Sequence, residues 1–259
     1  MLGGTRLAVG TFTAVPVPAP THVDPRTTGR ALLLAPLVGV GLGLLAGGVY
    51  ELVLLRAAPG GSGRLLAASA AVATMAAATR AIHLDGLADT ADGLGSGRPA
   101  DQALDIMRRS DIGPFGVVTL VLTLLLQITA LAEAAVHVPG WFVLVAAGAT
   151  SRFAVTLASP ARAARPDGLG AAFAGVLRVQ SILLVGLVVT AALGGAALVV
   201  HGHSWQLVGR VLLAFLAGCL ASLALLRHCT RRLGGVTGDV FGALVETAGT
   251  VVLVALALL

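Results

Sequence analysis

Apolar runs of membrane-crossing length recur along almost the whole chain, at about 31–55, 65–82, 115–136, 141–159, 181–200, 207–226 and 240–259. About 20 consecutive apolar residues carry an α-helix across the hydrocarbon of a bilayer, and runs of this length are rare inside water-soluble domains. Composition agrees: of 259 residues, 57% are hydrophobic and 11% charged, against about 25% charged in an ordinary soluble domain. That excludes a soluble globular enzyme and a disordered chain, and 2 cysteines are too few for a disulfide scaffold. The runs are continuous instead of alternating with period two, which argues against a closed β-barrel. The predicted fold class is therefore all-α, a polytopic integral membrane helical bundle. About seven transmembrane helices are expected, in a range of six to eight. Residues 1–259 are read as a single membrane-embedded domain.

The charges give an orientation. All 17 basic residues are Arg, and they sit singly or in pairs between apolar runs, without the polar and aromatic neighbours of a nucleic-acid surface. No nucleic-acid partner is expected. Alternate connections are Arg-rich: the N-terminal arm (Arg6, Arg26, Arg30), the segment holding Arg80, Arg98, Arg108 and Arg109, the Arg162–Arg178 connection, and the one holding Arg227, Arg231 and Arg232. The intervening connections hold only Arg56 and Arg64. By the positive-inside rule the N-terminus and all four rich segments of a multi-pass protein face the cytoplasm. All nine aspartates fall in the same four segments. The rule does not require that of acids, so a chemical reason is expected.

Some features carry no chemistry. Arg6 followed by Ala8–Val15 faintly resembles a signal peptide, but Thr11, Thr13 and Pro16 interrupt the run, so cleavage is not expected. Cys219 and Cys229 match no metal or redox spacing and read as inert thiols. His201 and His203 form an H-x-H on the far side with no acids nearby, and are rejected as metal ligands.

The sharpest motif is His83-Leu-Asp-Gly-Leu-Ala-Asp-Thr-Ala-Asp-Gly-Leu-Gly95. Asp85, Asp89 and Asp92 stand at i, i+4 and i+7, which on a helix puts three carboxylates on one face. Single Asp–Gly pairs are more often helix caps. Three like charges beside a bilayer repel one another and are costly to desolvate, and a cation relieves both. Hard oxygen ligands suit Mg²⁺, which commonly bridges a few carboxylates to a substrate phosphate. His83 stands where it can orient or donate to such a site.

Downstream, Arg108, Arg109 and Ser110 precede Gly113 and the third run, and offer guanidinium and hydroxyl groups to a diphosphate. A positive-inside anchor with a Gly-Pro helix start explains the arginines equally well. The Arg165–Gly170 loop around Asp167 and the Gly234–Asp239 loop share one texture, flexible glycines around an acid. Glu246 lies one to two turns inside the last run, where an ionisable group is a functional candidate by default. Arg152 is its mirror case and can pair with an acid inside the bundle. Glu51 and Glu133 lie toward the opposite side and are read as interface residues.

At these residues the chain resembles cobalamin synthase, the adenosylcobinamide-GDP ribazoletransferase family of bacterial vitamin B12 assembly. The resemblance runs nearly end to end, through Thr11–Pro18, Pro36–Gly41, His83–Gly95, Met107–Gly116, Arg165–Gly170 and Gly234–Glu246. Ala14 stands where the family's arm usually has Arg, and Arg108-Arg109 where it commonly has Lys-Asp, with Asp111 nearby. The resemblance implies a Mg²⁺-dependent membrane transferase joining adenosylcobinamide-GDP to α-ribazole, or its 5′-phosphate, with release of GMP. On that expectation Asp85 and Asp89 hold Mg²⁺ on the diphosphate, and Asp92 is a third ligand or the base. Arg108 and Arg109 steady the leaving phosphate, and Asp239 with Glu246 completes the acidic wall or binds the second substrate. Two alternatives are weighed. Leu87-Ala88-Asp89 replaces the Ala-Arg expected of a membrane CDP-alcohol phosphotransferase. A secondary transporter would carry its ionisable groups near the midplane. The Gly- and Ala-rich runs allow close packing within one chain or in a homo-oligomer.

Overall fold

The structure is a computed structural model that describes residues 2–20, 22–57, 61–200 and 205–259; His201 and His203 lie outside them. Among the described residues it has eleven helices and no strand: α1 (Leu2–Phe12), α2 (Pro25–Arg56), α3 (Gly61–Ala78), α4 (Ile82–Gly95), α5 (Ala100–Ile106), α6 (Pro114–Ala134), α7 (Gly140–Ala158), α8 (Gly168–Phe173), α9 (Val179–Val200), α10 (Trp205–Leu233) and α11 (Gly238–Leu258). Six of these, α2, α6, α7, α9, α10 and α11, are long and apolar enough to cross a membrane. The protein is an all-α, multi-pass membrane bundle.

The run at 65–82 behaves differently from the single helix its composition predicts. It stops at Ala78, and α4 leaves at 88° to α3, the geometry of a broken crossing or of a re-entrant loop. Arg80 and Ala81 between them have φ of 53° and 54°. Two successive left-handed residues cannot continue an α-helix, and each costs of order 1–3 kcal/mol outside glycine. The Ala-rich composition hides this break, because nothing in it interrupts the hydropathy.

Local signals start the helices that the sequence marks most plainly. Asp24 caps α2, its carboxylate accepting the Thr27 N–H at 2.7 Å, with Pro25 in the first turn. Thr237 caps α11 in the same way, through the Val240 N–H at 3.3 Å. At the other end of the bundle the Glu51 carboxylate accepts the Trp141 N–H in the first turn of α7, at 3.3 Å.

Helix α7 is the axis, buried continuously from Phe142 to Thr156. It packs against α2 through a glycine seam. Gly39 meets Gly148, Gly43 meets Leu144 and Val145, and Gly47 meets Trp141, an antiparallel register read at every fourth residue. Small residues let two membrane helices approach closely where lipid gives no hydrophobic drive for association. The outer surfaces of α2, α6, α9 and α10 expose leucines such as Leu52, Leu125, Leu187 and Leu220, the face that lipid covers. Cys219 and Cys229 are buried free thiols within α10.

A Cβ on Gly43 would stand 2.6 Å from the Leu144 carbonyl oxygen and 2.7 Å from the Val145 Cα. Gly43→Val is therefore expected to lower the thermal unfolding midpoint in detergent, with overpacking costing about 1–3 kcal/mol. Gly48, which has nothing within 4 Å, is the control. Gly48→Ala should leave the midpoint unchanged or raise it.

Candidate active site

The site is built where α4 crosses α11 with no side chain between them. A Cβ on Gly86 would lie 2.7 Å from the Asp239 carbonyl oxygen, and one on Gly242 would lie 3.0 Å from the His83 carbonyl oxygen. These contacts pair 86 with 239 and 83 with 242, so the helices run antiparallel. Glycine is required at both places, because any larger residue would push the helices apart. The consequence is that the Asp85 and Asp89 face of α4 meets Asp239. Asp85, Asp239 and Asp92 all act electrostatically on Asp89, and Asp85 acts on Asp239. The Thr237 hydroxyl donates to Asp239 Oδ2 at 3.2 Å and fixes its direction.

Asp85 and Asp239 open into a cavity of about 450 Å³, which also receives His83, Arg108, Arg165 and Asp167. Phe12, Phe173 and Phe241 supply its apolar wall. Phe12 lies parallel to the buried His83 ring, 6.3 Å between centroids. The N-terminal arm thereby reaches the site. Two loops are clamped together to form the cavity's rim: the Ala164 N–H donates to the Val236 carbonyl and the Val236 N–H to the Arg162 carbonyl, each at 2.9 Å. Gly170 and Gly235 touch the opposite loop's backbone at 2.5 Å from an ideal Cβ. Those contacts fix Arg165 and Asp167 relative to Asp239. Arg165 donates to the Leu104 carbonyl. Its desolvation, then the like charge of Arg108, lower its pKa, opposed by Asp239, Asp167 and Asp105. Arg108 forms an exposed ion pair with Asp167 at 3.6 Å.

The remaining sequence candidates divide between other places. Asp92 is buried, and its two oxygens accept the N–H groups of Gly113 at 2.8 Å and Gly116 at 2.9 Å. It caps α6 from a distance of more than twenty residues, which its spacing within the motif does not reveal. Arg109 lies in a separate cleft of about 210 Å³ shared with Asp89, Asp92 and Asp111, so Asp89 borders that cleft while feeling Asp85 and Asp239. Ser110 is exposed on the turn before α6. Glu246 is two turns below Asp239 and faces a separate internal cavity of about 50 Å³ with Arg152, Ser151 and Gln127. Gln127 donates to Glu246 at 2.8 Å and to Thr250 at 2.9 Å. The acid expected for Arg152 inside the bundle is thus Glu246, and Glu246 does not extend the acidic wall. Among the described residues, no three His, Cys, Asp or Glu side chains converge closely enough to hold a metal alone. Arg165, Thr237 and Phe12 were not singled out by sequence. Only Arg165 left a signal, an arginine two residues before Asp167 in a glycine loop.

The family model for cobalamin-5-phosphate synthase matches residues 4–257. The chain belongs to that family. The cobalamin-5-phosphate synthase match is supported by curated relatives named adenosylcobinamide-GDP ribazoletransferase. The one from Frankia casuarinae is 40% identical, over 100% of this chain and 95% of its own length. Those from Nocardioides sp. and Brevibacillus brevis are 39% and 33% identical over 94% and 96% of this chain, and 93% and 95% of their own lengths. No solved structure matches. The motifs that carried the resemblance are the ones that build the cavity of this cobalamin-5-phosphate synthase family member, α4, the Arg165–Gly170 loop and the start of α11.

Asp92→Ala would leave two amide donors without their acceptor, at about 1–3 kcal/mol each. Amide hydrogen exchange at Gly113 and Gly116 is expected to accelerate, with the acids of the cavity left in place. Unchanged exchange would show that the cap does not hold α6.

Proposed function

We propose that this chain is a membrane-embedded transferase, one catalytic domain over its whole length, that joins adenosylcobinamide-GDP to α-ribazole or its 5′-phosphate. The observation that supports this best is the meeting of Asp85 and Asp239 with Arg108 and Arg165 around one cavity, with Asp89 in the field of both acids. The reaction exchanges one phosphorus–oxygen bond for another. A hydroxyl oxygen of the acceptor bonds to the phosphorus attached to cobinamide. The bond from that phosphorus to the bridging oxygen breaks, and its electron pair leaves with GMP. The hydroxyl proton passes to a site carboxylate and then to solvent.

The acids fit a divalent cation. None of Asp85, Asp89 and Asp239 forms an ion pair among the described residues, and Arg165 is the cation that acts on Asp239. No three converge tightly, and Mg²⁺ keeps several waters and is commonly bound by one or two carboxylates plus substrate phosphates. Asp85 and Asp239, which line one cavity, would hold it, with Asp89 alongside. When bound, the ion neutralises diphosphate oxygens and the charge that develops on the leaving group. Arg108 and Arg165 do the same from the chain, as guanidiniums that pair with phosphate oxygens. Thr237 keeps Asp239 aimed, and Asp92 acts by position, seating α6 beside α4.

The Arg-rich connections, including those that form the cavity's rim, support placement of the site at the cytoplasmic face of the inner membrane. The broken span taken alone would also suit a transporter. The deeper cavity at Arg152 and Glu246 has only about 50 Å³, room for a water or two, and that supports the transferase.

Purified protein given Mg²⁺, adenosylcobinamide-GDP and α-ribazole or its phosphate should release GMP. Asp85→Asn and Asp89→Asn should each abolish release while thermal unfolding stays cooperative. Near-wild-type turnover in either variant, or no GMP from the wild type, would contradict the reading.

A further inference from the structure

Asp85 borders two cavities. Besides the arginine-lined one, it forms part of a groove of about 600 Å³ between α4 and α6. Ile82 and Asp85 are common to both linings, so they are the wall between them. The groove is apolar along Leu84, Ile112, Leu120 and Leu124, and Arg80 is its cation. Arg80 is exposed and forms no ion pair among the described residues. It is held there by its own left-handed backbone, at the break in the crossing.

Displacement at phosphorus places the entering and leaving oxygens roughly in line, on opposite sides. With the reacting phosphorus beside Asp85, the two cavities are the two sides. The first, with Arg108 and Arg165 for anionic oxygens and three phenylalanines for a planar base, matches the nucleotide half of the donor, which leaves as GMP. The groove matches the other reactant: an apolar bicyclic base needs an apolar slot, and a phosphate on its ribose needs one cation at the rim. We infer that the α4–α6 groove is the acceptor site, taking the base of the ribazole against Ile112 and Leu120, with Arg80 binding its 5′-phosphate. This rests on the transfer reaction proposed above and adds where the acceptor sits and which residue reads its phosphate. It also gives the strained break a use, since a continuous helix would carry position 80 away from the groove.

The test is steady-state GMP release by purified protein, varying one substrate at a time. For Arg80→Ala, KM for α-ribazole 5′-phosphate should rise about tenfold, the loss of one charge-assisted bond. KM for unphosphorylated α-ribazole and for adenosylcobinamide-GDP should stay within about twofold of wild type. Ile112→Trp, at a half-exposed position (51%), narrows the groove and should raise KM for both acceptors without moving that of the donor. A rise in donor KM in either variant, or acceptor KM values unchanged in both, would overturn the assignment. Wild-type protein that releases no GMP from any pair would overturn the transfer reaction itself, a separate failure.

Discussion

The backbone contact of α4 with α11 at Gly86 and Gly242 is the constraint on which the chemistry depends. It brings carboxylates from two helices into one another's field, against their repulsion. The rest of the bundle opposes that repulsion, in apolar and glycine-seam packing away from the acids. The buried axis α7, the Gly39–Gly148 seam and the capped start of α6 all fix helices whose ends carry the cavity. On the proposed reading, a divalent cation would relieve that repulsion and in turn attract the anionic diphosphate.

The polar residues sort by depth. At one end, the loops bearing Arg108, Arg165 and Asp167 meet one another and the start of α11, placing two arginines on the rim over an acidic floor. Deeper, Arg152 and Glu246 share a small cavity with Gln127, which also donates to Thr250, a polar node linking α6, α7 and α11 in which the buried Arg152 Nε has no hydrogen-bond partner among the described residues. That node sits just below the start of α4, since Leu84 also lines it. An ionisable group inside a membrane bundle is costly unless partnered; here the polar neighbours come from α7 and from α6 and α11, the two long helices that pack on α4.

Much of this was legible in the sequence. Hydropathy alone located the long helices, because continuous apolar runs have few other uses. The i, i+4 spacing of Asp85 and Asp89 gave the acidic face of α4, and the resemblance tied it to diphosphate chemistry. What escaped was whatever depended on distant partners. Asp92 continues the same helical spacing, yet its neighbours Gly113 and Gly116 turn it into a cap. Glu246 shares a helix with Asp239, but two turns place it below a separate wall. The break at Arg80 and Ala81 is a backbone event, and neither residue type announces a left-handed conformation as glycine would. Phe12 belongs to a proline-rich arm whose path to the cavity only the fold reveals.

The most direct test is binding of Mn²⁺, as a paramagnetic substitute for Mg²⁺, followed by electron paramagnetic resonance in the presence of the diphosphate donor. If acids from α4 and α11 act as one site, Asp239→Asn should abolish the bound-ion signal as completely as Asp85→Asn does. An Asp239→Asn protein that binds Mn²⁺ as tightly as the wild type would contradict a site shared between the two helices.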